Sequence, residues 1–193
     1  MKALLEMPRR AMGVGTQLSL LVLGASPLGL AGVDLASGAF VRAAVDVAGL
    51  APLDVVATEL DDAHEHDPTQ PEAVRLAPMA KIIDHLNPRH AERWLRPLLH
   101  PTTSHLLGFA GPAIPFWELD GSRPSVGLVD APAEIVADRE GLPRCRFLWR
   151  GLLHDMPIAA RRGARLPRHA ARVVVALTPP VDGHCYKVVA GLL

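Results

Sequence analysis

The sequence predicts a mainly β chain in two small barrel-like halves, and three observations carry that reading. Eighteen prolines and sixteen glycines in 193 residues interrupt the chain every few positions, which leaves little room for long helices. Ten or eleven short strand-like runs follow one another at close spacing, as in a sandwich or barrel. The composition is 49% hydrophobic but only 4% aromatic, so Leu, Val and Ala must build the core. A chain of this length suits one large domain or two small ones.

Residues 17–23, 29–35 and 39–45 read as the first three strands. The Ala36-Ser37-Gly38 link between the last two is short enough for a hairpin. A fourth strand is expected at 54–60, followed by a polar loop at 61–71 and a fifth strand at 72–77. Between 79 and 107 the period changes. Ile82, Ile83 and Leu86, then Trp94, Leu95, Leu98 and Leu99, recur at helical spacing. With Pro88 and Pro97 interrupting, this predicts one or two short helices. The Gly- and Pro-rich stretch 108–115 is the expected boundary, giving an N-terminal half of 1–110 and a C-terminal half of 111–193. Strands resume at 125–129, 133–138, 143–150 and 152–158. A basic, turn-rich loop at 161–169 precedes a continuous apolar run at 173–177. The closing strand at 184–192 follows the Pro179-Pro180-Val181-Asp182-Gly183 turn.

Formal net charge is zero, which argues against nucleic-acid binding driven by overall charge. The distribution is uneven. From residue 139 to the end there are ten bases against three acids, whereas 54–93 holds nine acids against four bases. Such an asymmetry steers a partner or lets the two regions attract each other. Arg9-Arg10 and the apolar residues after it imitate a signal segment, but the continuously apolar part is only Leu20 to Leu23. No run approaches the ~20 apolar residues of a membrane-spanning helix. Cys145 and Cys185 have neither CxxC spacing nor a disulfide framework, and the reading is a cytoplasmic protein in a reducing compartment.

Several segments, in order, resemble the dual OB-containing domain family. They are Gly29-Leu30-Ala31-Gly32-Val33-Asp34-Leu35 with Gly38-Ala39-Phe40-Val41-Arg42, then Leu53-Asp54-Val55-Val56 with Pro68-Thr69-Gln70-Pro71-Glu72. The stretch from Arg144 to Met156 and the closing Leu177-Thr178-Pro179-Pro180 with Gly183-His184-Cys185-Tyr186-Lys187 follow. Ala43 stands where the family carries proline. The resemblance implies two OB-like β-barrels, and the helical spacing at 79–107 adds a short helical insert between or after the first. The resemblance also implies nucleic-acid or nucleotide recognition in bacterial defence-type systems, and no catalytic residues.

The strand at 143–150 is the most informative element. Alternation places Arg144, Arg146, Leu148 and Arg150 on one face and Cys145, Phe147 and Trp149 on the other. The second face is core. The first is a row of guanidiniums roughly 7 Å apart, and OB-folds bind single strands with such a face. The alternative is a solvated face paired with acids on neighbouring strands. Arg161, Arg162, Arg165 and Arg168 form a loop suited to gripping phosphates, or simply to solubility. Tyr186 and Lys187 are further candidates. His184 and Cys185 are adjacent on a strand and point to opposite faces, so the histidine is badly placed to activate the thiol. Asp61, Asp62, His64, Glu65, His66 and Asp67 have metal-ligand donor types, yet one loop rarely fixes a tetrahedral set alone. No metal or other cofactor is expected. Trp94, Trp117 and Trp149 read as core or interface residues.

Two functions remain. One is a non-enzymatic recognition module binding single-stranded nucleic acid or a nucleotide through these arginines with Tyr186 and Lys187. The other is a protein-interaction or scaffolding subunit whose arginines meet an acidic partner. A metal-dependent hydrolase using His64 and His66 is a distant third.

Overall fold

The computed structural model describes residues 15–45, 48–62, 67–78, 81–160 and 164–193. Five strands form the first half: β1 (Gln17–Ser26), β2 (Gly29–Asp34), β3 (Phe40–Ala43), β4 (Asp54–Asp62) and β5 (Ala73–Leu76). Their order is β1-β2-β3-β5-β4, and β4 pairs back onto β1, so the sheet closes into a barrel. All neighbours are antiparallel except β3 and β5, where Arg42 and Ala43 run parallel to Ala73 and Val74. The predicted β2–β3 hairpin is present. Its turn is held by the Asp34 carboxylate, which accepts from the Ala36 and Ser37 amides and the Ser37 hydroxyl. Gly38 completes it at φ +72°, where a side chain would be strained.

The strand β6 (Lys81–His85) extends β4, and α1 (Pro88–Leu95) follows. The helical reading of Ile82, Ile83 and Leu86 is therefore corrected. Residues 81–85 pair with β4, and helix begins only where the Asn87 side chain accepts from the His90 amide ahead of Pro88. The second group of that period does form α1 and a short 3₁₀ turn at Arg96–Leu98.

The second half contains β7 (Ala113–Pro115), β8 (Val126–Ala137), β9 (Pro143–Trp149), β10 (Leu152–Pro157), β11 (His169–Leu177) and β12 (His184–Leu192). The two strands expected at 125–138 are one. Pro132 falls where the β8–β11 register shifts between Ala170 and Arg172, a bulge at which a missing N–H is tolerated. Taken along the chain, β8 to β12 repeat the connectivity of the first half. β8 pairs with β9 and β11, β9 with β10, and β11 with β12. The ends of this curled sheet meet through one parallel bridge, Ile158 to Val189, with the Ala159 amide donating to the Val189 carbonyl at 2.8 Å. This is the five-stranded Greek-key order of an OB barrel, closed in the first half and barely joined in the second.

The core has three parts. Leu18, Leu20, Val22, Val41, Val56 and Leu60 fill the first barrel. Cys145, Phe147, Trp149, Val173, Val175, Cys185 and Val189 fill the second half, joined by Leu106, Leu107 and Phe109 from the segment before β7. Between the halves, Leu21, Leu23, Ala31 and Val33 meet Val126, Leu128, Val174, Ala176 and Ala190, with Ala91 and Leu95 of α1 alongside. The continuous apolar runs 20–23 and 173–176 thus belong to strands buried on both faces. β1 and β12 cross at glycines: a Cβ on Gly24 would lie 2.2 Å from the Ala190 carbonyl oxygen, and one on Gly191 2.3 Å from that of Leu23.

A polar latch reinforces this interface. Arg42, 4% exposed, donates from Nη1 to the Ser125 hydroxyl at 3.1 Å. Glu72 accepts from the Ser125 amide at 2.9 Å and from its hydroxyl at 2.6 Å. Burial pulls the Arg42 pKa down, opposed by the Glu72 and Asp67 charges. On the far side, Arg172 of β11 donates twice to the Glu92 carboxylate of α1, at 2.7 and 3.0 Å, and once to Asp130 at 3.2 Å.

Candidate recognition surface

An OB barrel presents ligands to the outer face of its second and third strands. In the first half part of that face is spent, because Ala31 and Val33 of β2 pack against the second half. In the second half the equivalent strands are β9 and β10, and their outer face is open. Alternation along β9 is as expected, with Cys145, Phe147 and Trp149 buried and Arg144, Arg146 and Leu148 facing out.

Register across the sheet assembles this face into rows. His169 of β11 opposes Glu134 of β8, Glu134 opposes Arg146 of β9, and Arg146 opposes Asp155 of β10. The row therefore alternates in sign where all four groups are charged. Asp155 accepts from Arg144 Nε at 2.5 Å and Arg146 Nε at 2.9 Å, and its backbone carbonyl accepts from Arg144 Nη2 at 2.8 Å. These arginines, Arg144 first, hold the Asp155 carboxyl below its usual range. Beside this row, Leu148 and Leu153 form a cross-strand pair that is 63% and 70% exposed. Pro132, Glu134, Arg146 and His169 border the shallow hollow these leucines line.

The other candidates are dispersed. Arg150 is not the third member of the row. It lies at φ +54° in the turn with Gly151 that joins β9 to β10. Arg165 and Arg168 are exposed ahead of β11, and the Arg168 carbonyl accepts from the Ile135 amide of β8. Arg161, Arg162, His64 and His66 lie outside the described residues. Tyr186 is 39% exposed on the outer side of β12.

Lys187 is only 5% exposed and shares the inward side of β12 with Cys185 and Val189. Its Nζ donates to the Phe109 carbonyl at 2.7 Å and the Gly111 carbonyl at 2.9 Å, 3.8 Å from the centre of the Phe109 ring. Burial pulls its pKa down to about 8. Burial also lowers His100 and His154, with the Lys187 charge adding to both effects.

Both thiols are buried and free. Burial pushes Cys145 up to about 11 and raises Cys185 as well, which keeps the sulfurs protonated at neutral pH. Among the described residues no group of three His, Cys, Asp or Glu side chains is placed to hold a metal ion. No described helix is long and apolar enough to cross a membrane.

Comparison with protein-family models, curated proteins and solved structures found no match. The surface itself is therefore what speaks to function. The face is legible in the period-two alternation of β9, which also supplies its arginines. The further signal in the sequence is Leu148, an apolar side chain on the outward side of an alternating strand, and its partner is Leu153.

Proposed function

We propose that this chain is a non-enzymatic recognition module that binds a protein partner through the outer face of β8, β9 and β10. The exposed Leu148–Leu153 pair is the observation that carries this reading. Covering a leucine fully is worth about 2 kcal/mol, and an apolar centre within a polar surround is the usual anatomy of a protein interface. The charges support it. Arg144 and Arg146 are engaged by Asp155, so the strand offers little free positive charge to a phosphate backbone. A partner with an apolar anchor and charges of both signs fits this face better than a uniformly acidic one.

Nucleic-acid recognition is the second reading, favoured by the OB-like strand order and the exposed Arg165 and Arg168. Two measurements separate them. Leu148→Asp combined with Leu153→Asp should abolish co-purification of a partner retained by the wild type, with the circular dichroism spectrum unchanged. Binding of labelled single strands by the wild type, weakening steeply with salt, would replace the protein reading with the nucleic-acid one.

A further inference from the structure

A second surface lies away from the leucine pair. The chain has only eight aromatic residues, and three of them, Phe116, Trp117 and Tyr186, are exposed by 43%, 66% and 39%. They form a continuous group with His184. Ring centres are 5.3 Å apart for Phe116 and Trp117, 6.1 Å for Trp117 and His184, and 6.3 Å for His184 and Tyr186. In a core built from Leu, Val and Ala, leaving the largest side chain 66% exposed forgoes the burial that a tryptophan ordinarily supplies.

Backbone geometry holds this group in place. β7 pairs with the start of β12, setting Pro115 opposite His184. The Phe116 amide donates to the Gly183 carbonyl at 3.1 Å, and the indole of Trp117 lies against Gly183, where an added Cβ would be 3.4 Å from Cζ3. A ring ordered by its own turn loses little freedom on binding. Two exposed carboxylates are its neighbours along the chain: Glu118 follows Trp117, and Asp182 precedes the Gly183 against which the indole lies. Asp182 is held at φ +48°, in the left-handed region.

We infer that this group is a docking site for an arginine-bearing basic peptide segment. A guanidinium stacks on an aromatic face and pairs with a carboxylate through its planar fork, and the turns that carry Trp117 and its Gly183 contact also carry the exposed Glu118 and Asp182. The same acids repel a phosphate backbone, which sets a basic peptide above a nucleic acid as the occupant. The site is independent of the leucine face, so either proposal can fail alone.

The test uses the full chain labelled with ¹⁵N and a tri-arginine peptide with blocked ends as the probe. Trp117→Phe assigns the Trp117 indole N–H signal among the three tryptophans. That signal and the His184 and Tyr186 amides should shift saturably with tri-arginine and not with tri-glutamate. Trp117→Ala should weaken binding about tenfold, as loss of a desolvated cation–π contact does. Asp182→Asn should weaken it by a smaller factor, and Leu148→Asp should leave it unchanged. Shifts that do not saturate, equal shifts with tri-glutamate, or tighter binding of an oligothymidylate at the same signals would each overturn the inference.

Discussion

Lys187→Met probes the second half from within. In the wild type, burial takes the ammonium from an ordinary pKa of 10.5 to about 8. The unfolded chain keeps its proton up to the higher value and the folded chain loses it at the lower one. Between pH 8 and 10.5 the unfolded state therefore binds more protons, and this group makes stability rise with pH. Fully realised, this depression is worth roughly 3.4 kcal/mol. Cys145 acts in the opposite sense: its folded pKa is raised to about 11, so its contribution is lost as pH climbs through that region. Cys145 is common to wild type and variant and cancels in their difference. Methionine removes the titration and leaves the Phe109 and Gly111 carbonyls without the Nζ donor, at about 1–3 kcal/mol each. Urea unfolding of both proteins at intervals from pH 7 to 10 gives the difference curve. Wild type should gain about 2.5 kcal/mol on the variant across that range. A flat difference would mean that Lys187 titrates normally and is not the buried tack described.

Other perturbations test the remaining contacts. Gly191→Ala forces a Cβ against the Leu23 carbonyl oxygen and should cost about 3 kcal/mol, read as a lower urea midpoint; an unchanged midpoint would deny the β1–β12 crossing. Ser125→Ala removes the hydroxyl that links Arg42 to Glu72 and should destabilise by about 1–3 kcal/mol, measured the same way. Asp155→Asn releases Arg144 and Arg146, so weak, salt-sensitive anisotropy with labelled single strands should appear or strengthen. No change would indicate that these arginines have no access to phosphate.

Much of the architecture is legible along the chain because strand alternation is local. β12 begins and ends where the sequence places it, and the inward side of β9 follows directly from period two. The runs 20–23 and 173–176 signal strands buried on both faces, but only the folded chain shows that each faces the other half. Ile82, Ile83 and Leu86 mislead because apolar spacing signals a helix only when it reflects a buried stripe. Ile82 and Ile83 are instead 46% and 53% exposed on an edge strand. Alternation fails at Arg150 because β9 ends at Trp149 and the turn begins one residue later.

The surface was less legible for a different reason. Which residue opposes Arg146 depends on the register of β9 with β10, and the sequence leaves that offset open. The Asp155 contact that engages both arginines is therefore a property of the fold. The burial of Lys187 was readable in principle, since it lies between Cys185 and Val189 on one side of a strand. The opposing signal is composition, because lysine is rarely buried without an acid.

A photo-crosslinking amino acid at position 148, with a second at position 83 in the other half as control, reports in cells what the β9–β10 face of the full chain touches. A discrete protein adduct should form from position 148 and be absent from position 83. Adducts with nucleic acid at 148, or a yield no greater than at 83, would contradict recognition of a protein partner by this face.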